Sequence, residues 1–140
     1  MDKNLSRFLK AQENDYDNAL AEIKSGRKRG HWMWYIFPQC KGLGYSETSR
    51  YYAINDMEEA KDYLKHPILG TRLKEISNEL LILEQSNANL IFGSIDSMKL
   101  KSCMTLFWAA DKANADVFIK VIDKFFDGKF DDRTLNFINL

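Results

Sequence analysis

Residues Gly26-Arg27-Lys28-Arg29-Gly30-His31-Trp32-Met33-Trp34-Tyr35-Ile36-Phe37-Pro38-Gln39 decide both the fold class and the place to look for a site. Arg27, Lys28, Arg29 and His31 run directly into six apolar residues, Trp32 to Phe37, and Pro38 closes the run. Apolar residues in unbroken succession fit a buried strand or a short buried helix, and periodicity does not separate the two. The rest of the chain does. No other stretch reads as a partner strand, so the run is expected to be a short helix.

Upstream, Leu5, Phe8, Leu9, Gln12, Tyr16, Ala19, Leu20 and Ile23 recur at helical steps and form one face, with Asn14-Asp15 as its weak point. Gly26 stands where a C-cap glycine belongs, and Lys24 opposes the dipole in the last turn. Downstream, Gly42 and Gly44 mark a loop, and Ser46 is placed to cap a short helix through Tyr51 and Tyr52. Asn55 or Asp56, with Glu58 or Glu59 three residues later, has the form of a capping box. His66-Pro67 opens the clearest helix, whose Leu69, Leu73, Ile76, Leu80 and Leu83 make a core-facing stripe. Ser86 to Phe92 reads as a connector with one helical turn, ended by Gly93. Ser94 or Asp96 is expected to cap the next helix, whose Met98, Leu100, Cys103, Met104, Leu106, Phe107 and Trp108 wrap most of its circumference, as in a central helix. Phe118, Val121, Ile122 and Phe125 form a further stripe ended by Gly128, and Asp131 or Asp132 caps a last turn through Leu135 and Ile138. The expectation is an all-α, single-domain bundle over residues 1–140, with about six to eight short and medium helices.

A chain of 140 residues has room for one domain and one core. Its 45% hydrophobic and 13% aromatic content is that of a globular protein. Twenty Lys and Arg offset twenty Asp and Glu, so no global field favours polyanions, and nucleic acid is not an expected partner. An anion site must therefore be local. No apolar run approaches the ~20 residues of a membrane span. The start, Met1-Asp2-Lys3-Asn4, is not followed by an apolar segment of signal-peptide type. Cys40 and Cys103 make neither a metal-type pair nor a disulfide framework. A cytoplasmic protein with reduced thiols is expected.

Metalloprotease, phosphate-loop and dinucleotide signatures are absent. His31 and His66 stand thirty-five positions apart, too few and too distant to argue a metal site, and no cofactor is implied. The positive signal is the opening stretch. Lys28, with Arg27 or Arg29, supplies charge-assisted donors suited to phosphate or carboxylate. Backbone N–H groups near Gly30 and His31 would add to them if a helix starts at Trp32. His31 is of the residue type that suits general acid–base work, and Trp32 or Trp34 can stack on a flat ligand. The same residues also fit a solvated loop, two core indoles and a capping histidine. A second candidate is the face shared by Lys99 and Ser102, one turn apart on an apolar helix. There the plain alternative is a lysine at the helix margin with its ammonium in water.

These motifs resemble a known family. Gly26-Arg27-Lys28-Arg29-x-His31-Trp32-Met33-Trp34-Tyr35-Ile36-Phe37-Pro38-Gln39 is similar to the hallmark of the bacterial domain of unknown function 1810 family, some members of which carry the label calpastatin-like. Phe8-Leu9-x-Ala11-Gln12, Gly42-Leu43-Gly44-x-Ser46, His66-Pro67-x-Leu69-Gly70, Ile91-Phe92-Gly93 and Lys99-Leu100-x-Ser102-x-Met104-Thr105-Leu106-Phe107 fit its pattern too. The resemblance implies a small, largely helical, cytoplasmic single-domain protein and brings no activity with it. Gly30 and Cys40 depart from the serine and aliphatic residue expected there, which argues against a role for a hydroxyl or a thiol at those positions.

The functional expectation is a pocket for a small phosphorylated or carboxylated metabolite, a nucleotide included. Lys28 and Lys99 would bind the anion, His31 would transfer a proton, Trp32 or Trp34 would stack, and Gln39 and Ser102 would complete the lining. Should it catalyse, the mildest chemistry is hydrolysis or group transfer without a metal. The competing expectation is a protein-interaction module with an aromatic anchor surface.

Overall fold

The computed structural model describes residues 5–139. Nine α-helices and a 3-10 turn over Lys112–Asn114 lie among them, and the one β-type pairing is an isolated bridge between Cys40 and Ile54. The helices are α1 (Ser6–Lys24), α2 (Met33–Ile36), α3 (Glu47–Tyr51), α4 (Met57–Lys65), α5 (Leu69–Ile82), α6 (Ala88–Phe92), α7 (Ser94–Ala110), α8 (Asp116–Phe126) and α9 (Asp132–Ile138). The Trp32–Phe37 run is thus a single helical turn. Among the described residues no helix is long and apolar enough to cross a membrane.

α7 is the axis. It packs against α4, α6, α8 and α9, and Leu100, Cys103, Met104, Leu106 and Phe107 are buried around it. Rings knit the neighbours together. Tyr63 of α4 meets Phe8 of α1 edge-on at 5.2 Å and Phe107 of α7 at 5.1 Å, and Phe107 continues to Phe118 of α8 at 6.3 Å. α1 does not break at Asn14-Asp15, because Phe8, Gln12, Tyr16, Ala19 and Ile23 are buried along one continuous stripe. Tertiary packing outweighs the weak local propensity of those two residues.

The caps follow side-chain chemistry. Ser46, Asp56 and Asp131 accept from the backbone N–H three residues on, and the Glu59 carboxylate reaches back to the N–H of Asn55. His66 caps α5 through Nδ1, which accepts from the N–H groups of Ile68 and Leu69. α7 corrects the expected pattern. Its N-cap is Gly93, at φ 84°, with no side-chain cap, and Ser94 and Asp96 lie in the first turn. Gly70 is required by space. A Cβ there would stand 2.1 Å from the Leu64 carbonyl oxygen, where α4 and α5 meet.

Candidate functional site

The basic loop after α1 is folded around a carboxylate of its own chain. One Glu22 oxygen accepts from the N–H of Arg29 at 2.7 Å, the N–H of Gly30 at 2.9 Å and Nε1 of Trp32 at 2.9 Å. Burial works to raise the Glu22 carboxyl, but these three donors and nearby Lys28 hold it below the ordinary range. The loop's inward-pointing N–H groups are those of Arg29 and Gly30, and His31 adds none; Glu22, in the last turn of α1, accepts both. Trp32 is 2% exposed, so its indole is a core anchor with no free face for a ligand.

Lys28 leaves this loop in the other direction. Its backbone N–H donates to the Ile91 carbonyl at 2.8 Å, which ties the loop to α6. Its ammonium donates to the Gly30 carbonyl, lies 5.0 Å from the Trp32 ring centre and pairs with Asp96 Oδ2 at 2.8 Å. The other Asp96 oxygen pairs with Lys99 Nζ at 3.1 Å, and that ammonium sits 4.0 Å over the Trp34 ring. Burial pushes the Asp96 carboxyl up, and the two lysines overcome this and hold it low. One carboxylate is thus shared by two ammoniums, and Glu22 stands as a second negative charge near Lys28. Lys28 and Lys99, distant in sequence, do meet beside the two indoles, and Asp96 joins them.

Two hollows open on the Trp34 side. The larger, about 510 Å³, lies between the loop following α2, the start of α3 and the N-terminal half of α7. Trp34, Gln39, Lys99, Ser102, Asp131 and Arg133 line its polar part. Arg133 reaches in from α9, where its guanidinium donates to the Gly42 carbonyl at 2.9 Å. Asp131 is buried and committed, accepting from Thr134 N at 3.0 Å and Thr134 Oγ1 at 2.6 Å. Ser102 donates to the Met98 carbonyl at 3.1 Å, which leaves its oxygen free to accept. Tyr45, Ile95 and Met98, exposed at 81%, 74% and 54%, rim the opening. The smaller hollow, about 230 Å³, shares Trp34, Gln39, Gly44 and Ser49 with the larger and adds Cys40, Lys41, Arg50, Tyr52 and Asn55. Its walls are pinned by the Cys40–Ile54 bridge, with Lys41 N donating to Ile54 O and Ile54 N to Gln39 O, both at 2.9 Å.

Of the residues singled out from the sequence, Trp34, Gln39, Lys99 and Ser102 line the larger hollow. Lys28 faces a separate surface depression beside α6, with Arg27 and Leu90. His31 is exposed and lines none of these three hollows. Cys40 is buried, and desolvation pushes its thiol up to about 11, so at neutral pH it is no nucleophile. Sequence reasoning missed Lys41, Arg50 and Arg133. Each is an ordinary surface cation by type, and only the return of the α2–α3 loop towards α9 makes it part of a site. No group of three or more His, Cys, Asp or Glu side chains among the described residues is placed to hold a metal.

The chain is similar in structure to a conserved hypothetical protein of Mycobacterium tuberculosis, known from its crystal structure. The two are 41% identical, the match covers 98% of this chain and 97% of the other, and the TM-score is 0.95. No curated protein matches the chain. The sequence model of the family described as "Protein of unknown function (DUF1810)" matches residues 2–138, and the chain belongs to that family.

Proposed function

We propose that this member of the DUF1810 family binds a small anionic metabolite, phosphorylated or carboxylated, in the larger hollow. One observation carries the reading. Lys99 from α7 and Arg133 from α9 share a wall with the Trp34 indole, and the carboxylate on that wall, Asp131, is already engaged by Thr134. Arg133 makes no ion pair among the described residues, and Lys99 shares the Asp96 carboxylate with Lys28, so the wall offers two cations to a ligand anion. Arg133 supplies a fork for a phosphate or carboxylate and Lys99 a point charge. Gln39 and Ser102 add neutral polar contacts that fix orientation. Trp34 already carries the Lys99 ammonium on one ring face, so it holds the cation in place and forms an apolar wall. About 510 Å³ lies within the usual range for small-molecule sites.

The test is a thermal-shift screen of phosphorylated and carboxylated metabolites against wild type, Lys99→Ala and Arg133→Ala. A ligand at a hundred times its Kd stabilises the wild type by about 2.7 kcal/mol. Each substitution should weaken binding at least tenfold, since a hydrogen bond to a charged group contributes about 1.5–3 kcal/mol. Wild-type protein that no anion stabilises would end the reading.

The exposed Tyr45, Ile95 and Met98 favour a second reading, in which this rim anchors a protein partner. Tyr45→Ser would then abolish the complex while leaving the response to small anions intact.

A further inference from the structure

We infer that the two hollows are halves of one site, and that its occupant is a single bis-anionic molecule with one negative group against Lys99 and Arg133 and another against Lys41 and Arg50. The inference rests on the anion-binding reading of the larger hollow and extends it to the class of ligand. Trp34, Gln39, Gly44 and Ser49 belong to the walls of both hollows, so the two are adjoining and share a partition. At about 230 Å³ the smaller one falls below the roughly 300 Å³ at which independent small-molecule sites begin, which suits a subsite.

Its chemistry repeats that of its neighbour. Lys41 and Arg50 line it, Gln39 and Asn55 add amide groups, and no carboxylate does. Among the described residues neither cation makes an ion pair or a side-chain hydrogen bond. The two linings together hold four cationic side chains, Lys41, Arg50, Lys99 and Arg133, against the carboxylate of Asp131, with Asp96 pairing Lys99 from outside the linings. Arg133 also binds the two halves mechanically, because it lines the larger hollow while its guanidinium holds the carbonyl of Gly42, a wall residue of the smaller. A ligand with one anionic group uses half of this surface, and a ligand with two separated groups uses all of it.

Isothermal titration with matched probes at one ionic strength decides the matter: adenosine 5′-monophosphate with adenosine 3′,5′-bisphosphate, and fructose 6-phosphate with fructose 1,6-bisphosphate. For at least one pair, the wild type should bind the bisphosphate tenfold or more tightly than the monophosphate. The double variant Lys41→Ala/Arg50→Ala should erase that advantage. Lys99→Ala should weaken both members of the pair. The two substituted side chains are exposed, so the double variant should fold normally. Equal binding of the two members, or a bisphosphate preference that survives the double substitution, overturns the bipartite site and leaves the larger hollow's role standing. Failure of every probe to bind the wild type overturns both.

Discussion

Two cationic regions of this protein use their charge in opposite ways. The loop from Gly26 to Trp32 holds the densest basic run in the sequence, and its donors turn inward. Glu22 takes the N–H groups of Arg29 and Gly30 and the indole of Trp32, while Asp96 takes Lys28. The wall around Trp34 draws single cations from separate parts of the chain; Lys99 shares the Asp96 carboxylate with Lys28, while Lys41, Arg50 and Arg133 make no ion pair among the described residues and line open hollows. Charge density along a sequence therefore does not locate an anion site. What matters is whether a carboxylate of the same chain reaches the donors first, and Glu22, in the last turn of α1, reaches the loop.

The largest expected effect separates the two tryptophans. Trp32→Ala removes a side chain that is 2% exposed and orphans one of the Glu22 contacts. It should cost about 3–5 kcal/mol, or roughly 10 °C in Tm. Trp34 is half-buried and lines both hollows, so Trp34→Ala should cost about 1 kcal/mol and instead weaken ligand binding by releasing Lys99. Urea unfolding checks the first and titration the second. Equal stability losses would mean that both indoles are core residues and that the contrast is false.

A smaller effect tests the internal anion. The Glu22 carboxyl is held below its ordinary value of 4.5 in the folded chain, so the native state favours the ionised form. That contribution is complete above the unfolded value and is lost as the pH falls through the lower native one. Glu22→Gln should cost about 1–2 kcal/mol at pH 7, and the gap from wild type should narrow as the pH falls below 4.5. Denaturant midpoints measured across that range give the answer. A gap that stays constant with pH would show that size, and not charge, is what the loop requires of Glu22.

The fold was largely legible because helix signals are local. The stripes of α1 and α5, the apolar circumference of α7, and Ser46, Asp56 and Asp131 as N-caps need only neighbours in sequence to be read. The miss at the start of α7 has the same root. Asp96 has the right chemistry for a cap, but its carboxylate is drawn to Lys28 and Lys99, and Lys28 comes from far along the chain. Long-range pairings were invisible elsewhere too. Buried Gln12 joins α1 to the Tyr35 carbonyl and the Tyr63 hydroxyl, and Lys124 closes the end of α5 by donating to the carbonyls of Leu80, Leu81 and Leu83. The hollow was legible by halves. Trp34 and Gln39 stand in the opening stretch, and Lys99 and Ser102 share a helix face. Arg133, Lys41 and Arg50 enter only through tertiary return of the chain.

The smallest effect is the sharpest control on the comparison. His31 belongs to the basic stretch by sequence, yet it is exposed, makes no hydrogen bond or ion pair among the described residues, and lines none of the three hollows. If the inward-turned loop and the outward-facing wall are separate devices, His31→Ala should shift stability by no more than about 0.5 kcal/mol and leave the Kd of any anion within twofold of wild type. A histidine that acted as acid or base on the ligand would instead give binding or turnover with a pH dependence that is abolished in the variant. Seeing that dependence would mean the loop opens towards the hollow in solution, and the division drawn between the two regions would have to be withdrawn.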